Sequence, residues 1–180
     1  MENIQLNHRH HQTANRKFPV CFLAHDIDVP MNIGSLFRIA DALGIERIYL
    51  SGTSPVPPNS KIRKTSRATE KSVPFSYVEN PLDEVNKLKS EGYKIISLEI
   101  TSSSIDIREL SHTGNEKICL ILGSENLGVT QDLLDASDIT IHIPMLGQNS
   151  SMNVATACSI AAFEIVSRSR HENANPHIGR

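Results

Sequence analysis

The segment GSENLGVT, residues 123–130, comes nearest in this chain to a known ligand-binding pattern. It has the two glycines and the final threonine of a phosphate-binding loop, but Val129 stands where that loop has a lysine. Because this lysine pairs with the phosphates, its absence argues against a nucleoside triphosphate. No G-x-G-x-x-G pattern indicates an ordinary dinucleotide site either. Glu125 lies between the two glycines, where its carboxylate could orient a ligand or cap a helix.

Two other segments place polar residues where helices should begin. In NIGSLFR, residues 32–38, Asn32 fits a helix cap, and Arg38 falls away from the apolar face of the predicted helix. A lone arginine in such a position is usually solvated, so its spacing assigns it no role. In NSSMN, residues 149–153, Ser150 or Ser151 could do no more than cap the last helix.

The elements that would position these residues alternate between strands and helices. We predict strands at 20–24, 47–50, 75–78, 93–98, 118–122 and 139–143, and helices at 32–43, 81–91, 130–136 and from 153 to about 169. This order predicts an α/β fold with a mainly parallel sheet and helices on both faces. The loops after strands 118–122 and 139–143 are rich in Gly, Ser, Asn and Pro. Such loops, at the carboxyl ends of neighbouring strands, are where open α/β proteins build their sites.

Length and composition favour one globular domain over residues 1–180, with a basic polar arm at 1–17 and a frayed tail at 171–180. No apolar run approaches the ~20 residues needed to span a bilayer, and the N-terminus lacks a secretion signal. Three cysteines in apolar contexts indicate buried, reduced thiols without metal-ligand spacing, and the histidines near the N-terminus lack partner ligands. We therefore expect a cytoplasmic protein with no membrane contact and no metal.

The net charge of −2 conceals clusters of basic residues. One cluster, near the N-terminus, includes Arg9, Arg16 and Lys17. A second includes Arg63, Lys64 and Arg67. Each could be only a solvated surface, but if they converge in the fold they would form the footprint of a polyanion. The overall acidity argues against indiscriminate binding of nucleic acid.

Three segments taken together are far more specific than any one of them. NIGSLFRIADALG, ILGSENLGV and IPMLGQNSSMNVATA, in this order, resemble the three motifs of the SpoU/TrmH family of SPOUT-class RNA ribose 2′-O-methyltransferases. The resemblance extends over residues 20–168 and is strongest to the TrmH branch, whose members methylate tRNA. It implies a deep C-terminal trefoil knot, S-adenosylmethionine as cofactor, and an obligate homodimer with residues of both subunits near the active site.

The resemblance also assigns residues by position. Its motif positions match Asn32, Arg38, Glu125, Ser151 and Asn153 as catalytic residues. Its cofactor loops match Leu98, Glu99, Leu122, Gly123, Ile143, Pro144, Met145, Ser151 and Met152. The candidates for binding RNA come from the two basic clusters and not from the motifs: Arg9, Arg16, Lys17, Arg63, Lys64 and Arg67.

Methyl transfer from a sulfonium requires the donor methyl and the attacking oxygen to be about 3 Å apart and aligned. A ribose hydroxyl is weakly acidic and needs a base or an electrostatic partner. Arg38 could be a deprotonated base, although free arginine has a pKa above ~12. It could instead remain cationic, stabilise the developing alkoxide and position a phosphate.

The alternatives are an enzyme that methylates rRNA or a base, and a non-catalytic RNA-binding factor with the same fold.

Overall fold

The structure is a computed structural model that describes residues 16–111 and 116–171. Within these residues the chain forms one seven-stranded sheet in the order β3-β2-β1-β6-β4-β7-β5. The strands are β1 (Phe18–His25), β2 (Ile45–Ser51), β3 (Phe75–Val78), β4 (Tyr93–Leu98), β5 (Ile105–Asp106), β6 (Lys117–Leu122) and β7 (Ile139–His142). Every pairing between neighbouring strands is parallel, which confirms the predicted α/β class.

The helices are α1 (Pro30–Leu43), α2 (Ser60–Ser66), α3 (Pro81–Ser90), α4 (Gln131–Ala136) and α5 (Val154–His171), with 3₁₀ turns at Thr69–Lys71 and Ile107–Glu109. Alternate residues of the central strands enter two separate cores, as the period of two requires. Phe22 and Leu120 pack with α1, α2 and α5 on one face. Leu23 and Ile121 pack with α3 and α4 on the other. The prediction of helices on both faces is therefore confirmed.

Two predicted helix caps are wrong. Helix α1 begins at Pro30, because proline has the φ angle of a first helical residue and no N–H to satisfy. Asn32 is therefore the third residue of this helix. Helix α5 is capped by Asn153, whose Oδ1 accepts from the backbone N–H groups of Ala155 at 3.0 Å and Thr156 at 3.2 Å, and not by Ser150 or Ser151.

Strand order determines where a ligand could enter. Helix α1 connects β1 to its neighbour β2, whereas α4 leaves β6 toward β7 on the other side. The connections that leave β1 and β6 therefore run in opposite directions from the boundary between these two strands. The carboxyl ends of the strands leave a crevice there. No helix in the described residues is long and apolar enough to cross a membrane.

Candidate functional site

A cavity of about 670 Å³ opens at the carboxyl ends of β4, β6 and β7, next to the first turn of α5. Eight of the residues matched to cofactor loops line it: Leu98, Glu99, Leu122, Gly123, Ile143, Met145, Ser151 and Met152. Pro144, between two of them in the chain, is not among the lining residues. We call this cavity the loop pocket.

The loop after β6 folds into a tight turn that forms one wall of the loop pocket. The backbone of Ser124 and that of Gly128 exchange two hydrogen bonds, of 3.0 and 2.9 Å. Gly128 has a φ of +70°, and a Cβ on Gly123 would overlap the backbone of Gly128. Both glycines are therefore required for the close approach of the two ends of this turn.

A chain of side-chain hydrogen bonds joins the three sequence motifs at the edge of this pocket. Asn32 Nδ2, from α1, donates to Glu125 Oε1 in the turn after β6. Asn153 Nδ2, at the start of α5, donates to Asn32 Oδ1 at 3.0 Å. Glu125 is therefore not a helix cap, because its carboxylate accepts from a helix 93 residues away in the chain. Ser151 lines the same pocket and is exposed.

Glu99 connects two loops of the pocket. Its Oε2 accepts from the backbone N–H of Val129 at 3.0 Å, and its Oε1 accepts from the backbone N–H of Ile100 at 2.9 Å. The side chain lies so close to the turn after β6 that a Cβ on Gly128 would overlap the carboxylate. The carboxylate therefore links the end of β4 to the loop that follows β6.

The lining of the loop pocket is apolar and acidic. Glu99 and Glu125 contribute carboxylates, and no lysine or arginine is among the lining residues. His142, which sequence reasoning missed, also lines the pocket, and its Nδ1 lies 3.0 Å from Ser104 Oγ. This chemistry suits a ligand that has an apolar part and a positive charge and disfavours a polyphosphate.

Arg38 lies outside the loop pocket. It is exposed and lines a second, open cavity of about 450 Å³ between α1 and α2. The other residues of this cavity, which we call the basic groove, are Ser35, Ile39, Ala42, Lys64, Thr65 and Arg67. Arg38 follows Asn32 by six residues, which on a helix is about 9 Å along the axis and about 120° around it. Within one chain the structure therefore does not bring Arg38 together with the other motif residues.

Close packing of α2 on α1 forms the basic groove. Gly34 of α1 is buried, and a Cβ there would overlap both the Thr65 hydroxyl and the Ile62 carbonyl. Thr65 Oγ1 donates to the Met31 carbonyl at 3.1 Å, which links the two helices directly. The absence of a side chain at Gly34 therefore allows cations from both helices to share one groove.

The remaining basic candidates do not line this groove. Arg63 is exposed on α2. Arg16 lies 4.8 Å over the Phe18 ring, and Lys17 Nζ donates to the Ile45 carbonyl at 3.3 Å. Both precede β1 and therefore lie at the amino ends of the strands, whereas the loop pocket is at the carboxyl ends. Arg9 lies outside the described residues.

One acidic residue follows α2 along the chain from the basic groove. The Ser66 hydroxyl donates to the Glu70 carboxylate, and this hydrogen bond lowers the pKa of Glu70. The carboxylate therefore stays anionic, so the basic segment carries a fixed negative charge beside its cations.

Sequence reasoning missed several lining residues of the loop pocket. Ile100, Ser124 and Asn126 adjoin residues that were identified, so their proximity in the chain was the available signal. Ala157 carries no such signal, because a small side chain on a helix suits packing as well as contact with a ligand. Within the described residues no group of three or more His, Cys, Asp or Glu could hold a metal ion.

The sequence of this chain is similar to those of known RNA methyltransferases. A model of the SpoU rRNA Methylase family matches residues 19–163. The tRNA (guanosine(18)-2′-O)-methyltransferase of Escherichia coli K12 is 29% identical over 154 residues, covering 84% of this chain and 64% of that protein. The chain thus spans less than two thirds of the length of that relative.

Solved structures share the fold. The A. aeolicus TrmH/SpoU tRNA modifying enzyme superposes with a TM-score of 0.78 at 23% identity, over 92% of this chain and 83% of that one. The SpoU methyltransferase AviRb from Streptomyces viridochromogenes, in complex with the cofactor AdoMet, gives a TM-score of 0.76 at 25% identity, over 89% of this chain and 63% of that one.

Proposed function

The chain belongs to the SpoU rRNA methylase family, and we propose that it transfers a methyl group from S-adenosylmethionine to a ribose 2′-hydroxyl of tRNA. The observation that carries this proposal is the hydrogen-bond chain Asn153–Asn32–Glu125. It joins three motifs that are 93 and 121 residues apart at the edge of one pocket. A purely structural turn after β6 would not need a carboxylate held by the first helix.

The loop pocket fits the proposed cofactor. Its volume of about 670 Å³ is within the ~300–1,000 Å³ typical of small-molecule sites. Leu98, Leu122 and Ile143 offer apolar surface to an adenine ring, and the acidic lining suits a sulfonium cation. The residues that would hold the cofactor are Leu98, Glu99, Leu122, Gly123, Ile143, Met145, Ser151 and Met152, with Pro144 between two of them. When bound, the cofactor supplies an electrophilic methyl group.

We propose that Arg38 remains cationic. It is exposed and shares the basic groove with Lys64 and Arg67, and three cations in an open groove are typical of a site for phosphate. In this role the guanidinium holds the RNA backbone, orients the ribose and stabilises the developing alkoxide. Asn32, Glu125, Ser151 and Asn153 would fix the ribose at the other side of the reacting atoms. Arg63 would contact flanking phosphates, with Arg9, Arg16 and Lys17 contacting more distant parts of the RNA.

The separation of Arg38 from the loop pocket supports a homodimer. Within one chain Arg38 and the pocket face different directions, so a second subunit would bring its Arg38 to the pocket. Leu127 and Leu146 are 87% and 96% exposed, and α5 exposes Phe163. Large exposed apolar side chains of this kind are typical of a surface covered by a partner. We further propose a single methyltransferase domain, a C-terminal knot and a cytoplasmic location.

The names of similar proteins favour tRNA as the substrate. The E. coli relative is named for a tRNA, and the A. aeolicus structure is described as a tRNA modifying enzyme. The family description names rRNA, which makes rRNA the second candidate.

The test is methyl transfer from radiolabelled S-adenosylmethionine to purified tRNA and rRNA, followed by nuclease mapping. We expect a 2′-O-methylated nucleotide in tRNA. Arg38→Ala should abolish transfer but leave cofactor affinity unchanged. Lys87→Ala, which removes an exposed cation from α3 on the opposite face, is the control and should keep full activity.

Methylation of a base would refute ribose chemistry, and methylated rRNA alone would move the substrate to the second candidate. If the protein binds RNA but transfers no methyl group to either RNA, it is a non-catalytic binding factor.

A further inference from the structure

We propose that Glu99 selects the ribose of the cofactor, because its carboxylate accepts hydrogen bonds from the vicinal hydroxyls of the nucleoside. This inference rests on the proposed function, since it requires a nucleoside cofactor in the loop pocket. The match of Glu99 to a cofactor loop by position does not specify which part of the cofactor this residue contacts.

The carboxylate of Glu99 is held in a fixed orientation before any ligand binds. Each oxygen accepts one backbone N–H, from Ile100 and from Val129, so neither oxygen can rotate away without breaking a hydrogen bond. An ionised carboxylate has about four acceptor positions, and the two backbone donors use two of them. The side chain is half-buried and lines the loop pocket, so the unused positions are available to a ligand there.

The place of Glu99 in the sheet assigns it to the nucleoside end of the cofactor. Asn32 is on the helix that follows β1, and Glu99 follows β4, which is separated from β1 by β6. Neighbouring strands are about 4.8 Å apart, so the ends of β1 and β4 are about 10 Å apart. The proposed reaction centre lies near Asn32, whose partner Glu125 is the other carboxylate of the pocket. With its methyl end there, the cofactor would have its nucleoside end toward β4.

A carboxylate at the carboxyl end of a parallel strand is also the group that recognises ribose hydroxyls in dinucleotide-binding α/β folds. Leu98 and Leu122 line the same pocket as Glu99 and offer apolar surface suited to the adenine. An acidic acceptor beside an apolar surface is the combination that a nucleoside requires.

The test is calorimetric titration with S-adenosylhomocysteine and with its 2′-deoxy and 3′-deoxy forms. Wild-type protein should bind each deoxy form about 10-fold or more weakly, the loss expected for a hydrogen bond to a charged acceptor. Glu99→Gln should bind S-adenosylhomocysteine at least 10-fold more weakly, with little further loss for the deoxy forms. Glu79→Gln, on an exposed residue before α3, is the matched control and should behave as wild type.

Three outcomes overturn the inference. In the first, Glu99→Gln weakens all three ligands by one common factor, which means that the carboxylate only joins the two loops. In the second, it weakens S-adenosylmethionine more than S-adenosylhomocysteine, which means that it contacts the sulfonium. In the third, wild-type protein binds the three ligands equally, a result that needs no folded variant. Wild-type protein that binds neither cofactor form would refute the proposed function itself.

Discussion

The hydrogen bond from Asn32 to Glu125 can be tested by the nearly isosteric change Asn32→Asp. The new carboxylate keeps the oxygen that accepts from Asn153 but replaces the amide nitrogen that donates to Glu125. A lost hydrogen bond to a charged group costs about 1.5–3 kcal/mol. Two carboxylates about 4 Å apart also repel by about 1 kcal/mol in water, and by more near a protein surface.

Two features of the site reduce this cost. Glu125 is exposed, so water screens the repulsion and the lower end of each range applies. Residue 32 is in the first turn of α1, where a negative charge gains about 0.3–1 kcal/mol from the helix dipole. The net loss should be about 2 kcal/mol, which lowers the melting temperature by about 4–8 °C in a chain of this length.

The pH dependence of this loss separates the proposed cause from general disruption. Two adjacent carboxylates can share one proton, which restores a donor between them. The stability difference between variant and wild type should therefore be greatest at pH 7 and should shrink as the pH falls toward 4.5. Asn126→Asp is the control, because it adds the same charge next to Glu125, at an exposed residue of the turn after β6 that does not donate to this carboxylate. Equal losses in both variants, or a loss independent of pH, would refute this account of the bond.

Three further predictions concern the basic groove and the cores. Lys64→Gln should weaken RNA binding and reduce the slope of log K against log salt by about 0.7–0.9, measured by filter-binding titrations at several salt concentrations. Lys87→Gln on the opposite face is the control and should change neither the affinity nor the slope. Gly34→Ala should lower stability by about 1–3 kcal/mol, because the new methyl group forces α2 away from α1; a melting temperature within 1 °C of wild type would contradict this packing. The thiols should react with Ellman's reagent only after unfolding. Burial raises the pKa of Cys158, and a hydrogen bond with Cys119 raises that of Cys21.

Strands were the most predictable part of the fold. The strands Phe75–Val78 and Tyr93–Leu98 have the predicted bounds, because each is a short run rich in apolar and aromatic residues next to turn residues such as Pro74 and Gly92. The segment 60–71 received no prediction, because α2 is a short helix without a long apolar stripe. Its cap, where Asn59 Oδ1 accepts from the N–H groups of Lys61 and Ile62, and its packing on α1 stabilise it instead.

The candidate site was predictable in composition but not in geometry. Periodicity gives the environment of a residue within its own element, and it carries no information on a contact between residues 93 positions apart. Asn32 was therefore predicted as a cap, whereas its side chain forms a tertiary contact with Glu125. The family resemblance identified Arg38, but a list of motifs does not reveal that this residue faces a separate groove. The angle of about 120° between residues six apart on a helix was available from the sequence and indicates that separation.

Asn153 makes the last helix and the proposed reaction centre depend on a single amide group. Its oxygen accepts two backbone N–H groups of α5, and its nitrogen donates to Asn32. Aspartate or serine at this position could still start the helix. Aspartate, however, is ionised at neutral pH and has no proton to donate, and the serine hydroxyl is too short to reach Asn32. Residue 153 must therefore both cap α5 and donate to Asn32. A substitution that keeps the cap, and so leaves the protein fully folded, can still remove the hydrogen bond between the first and third motifs.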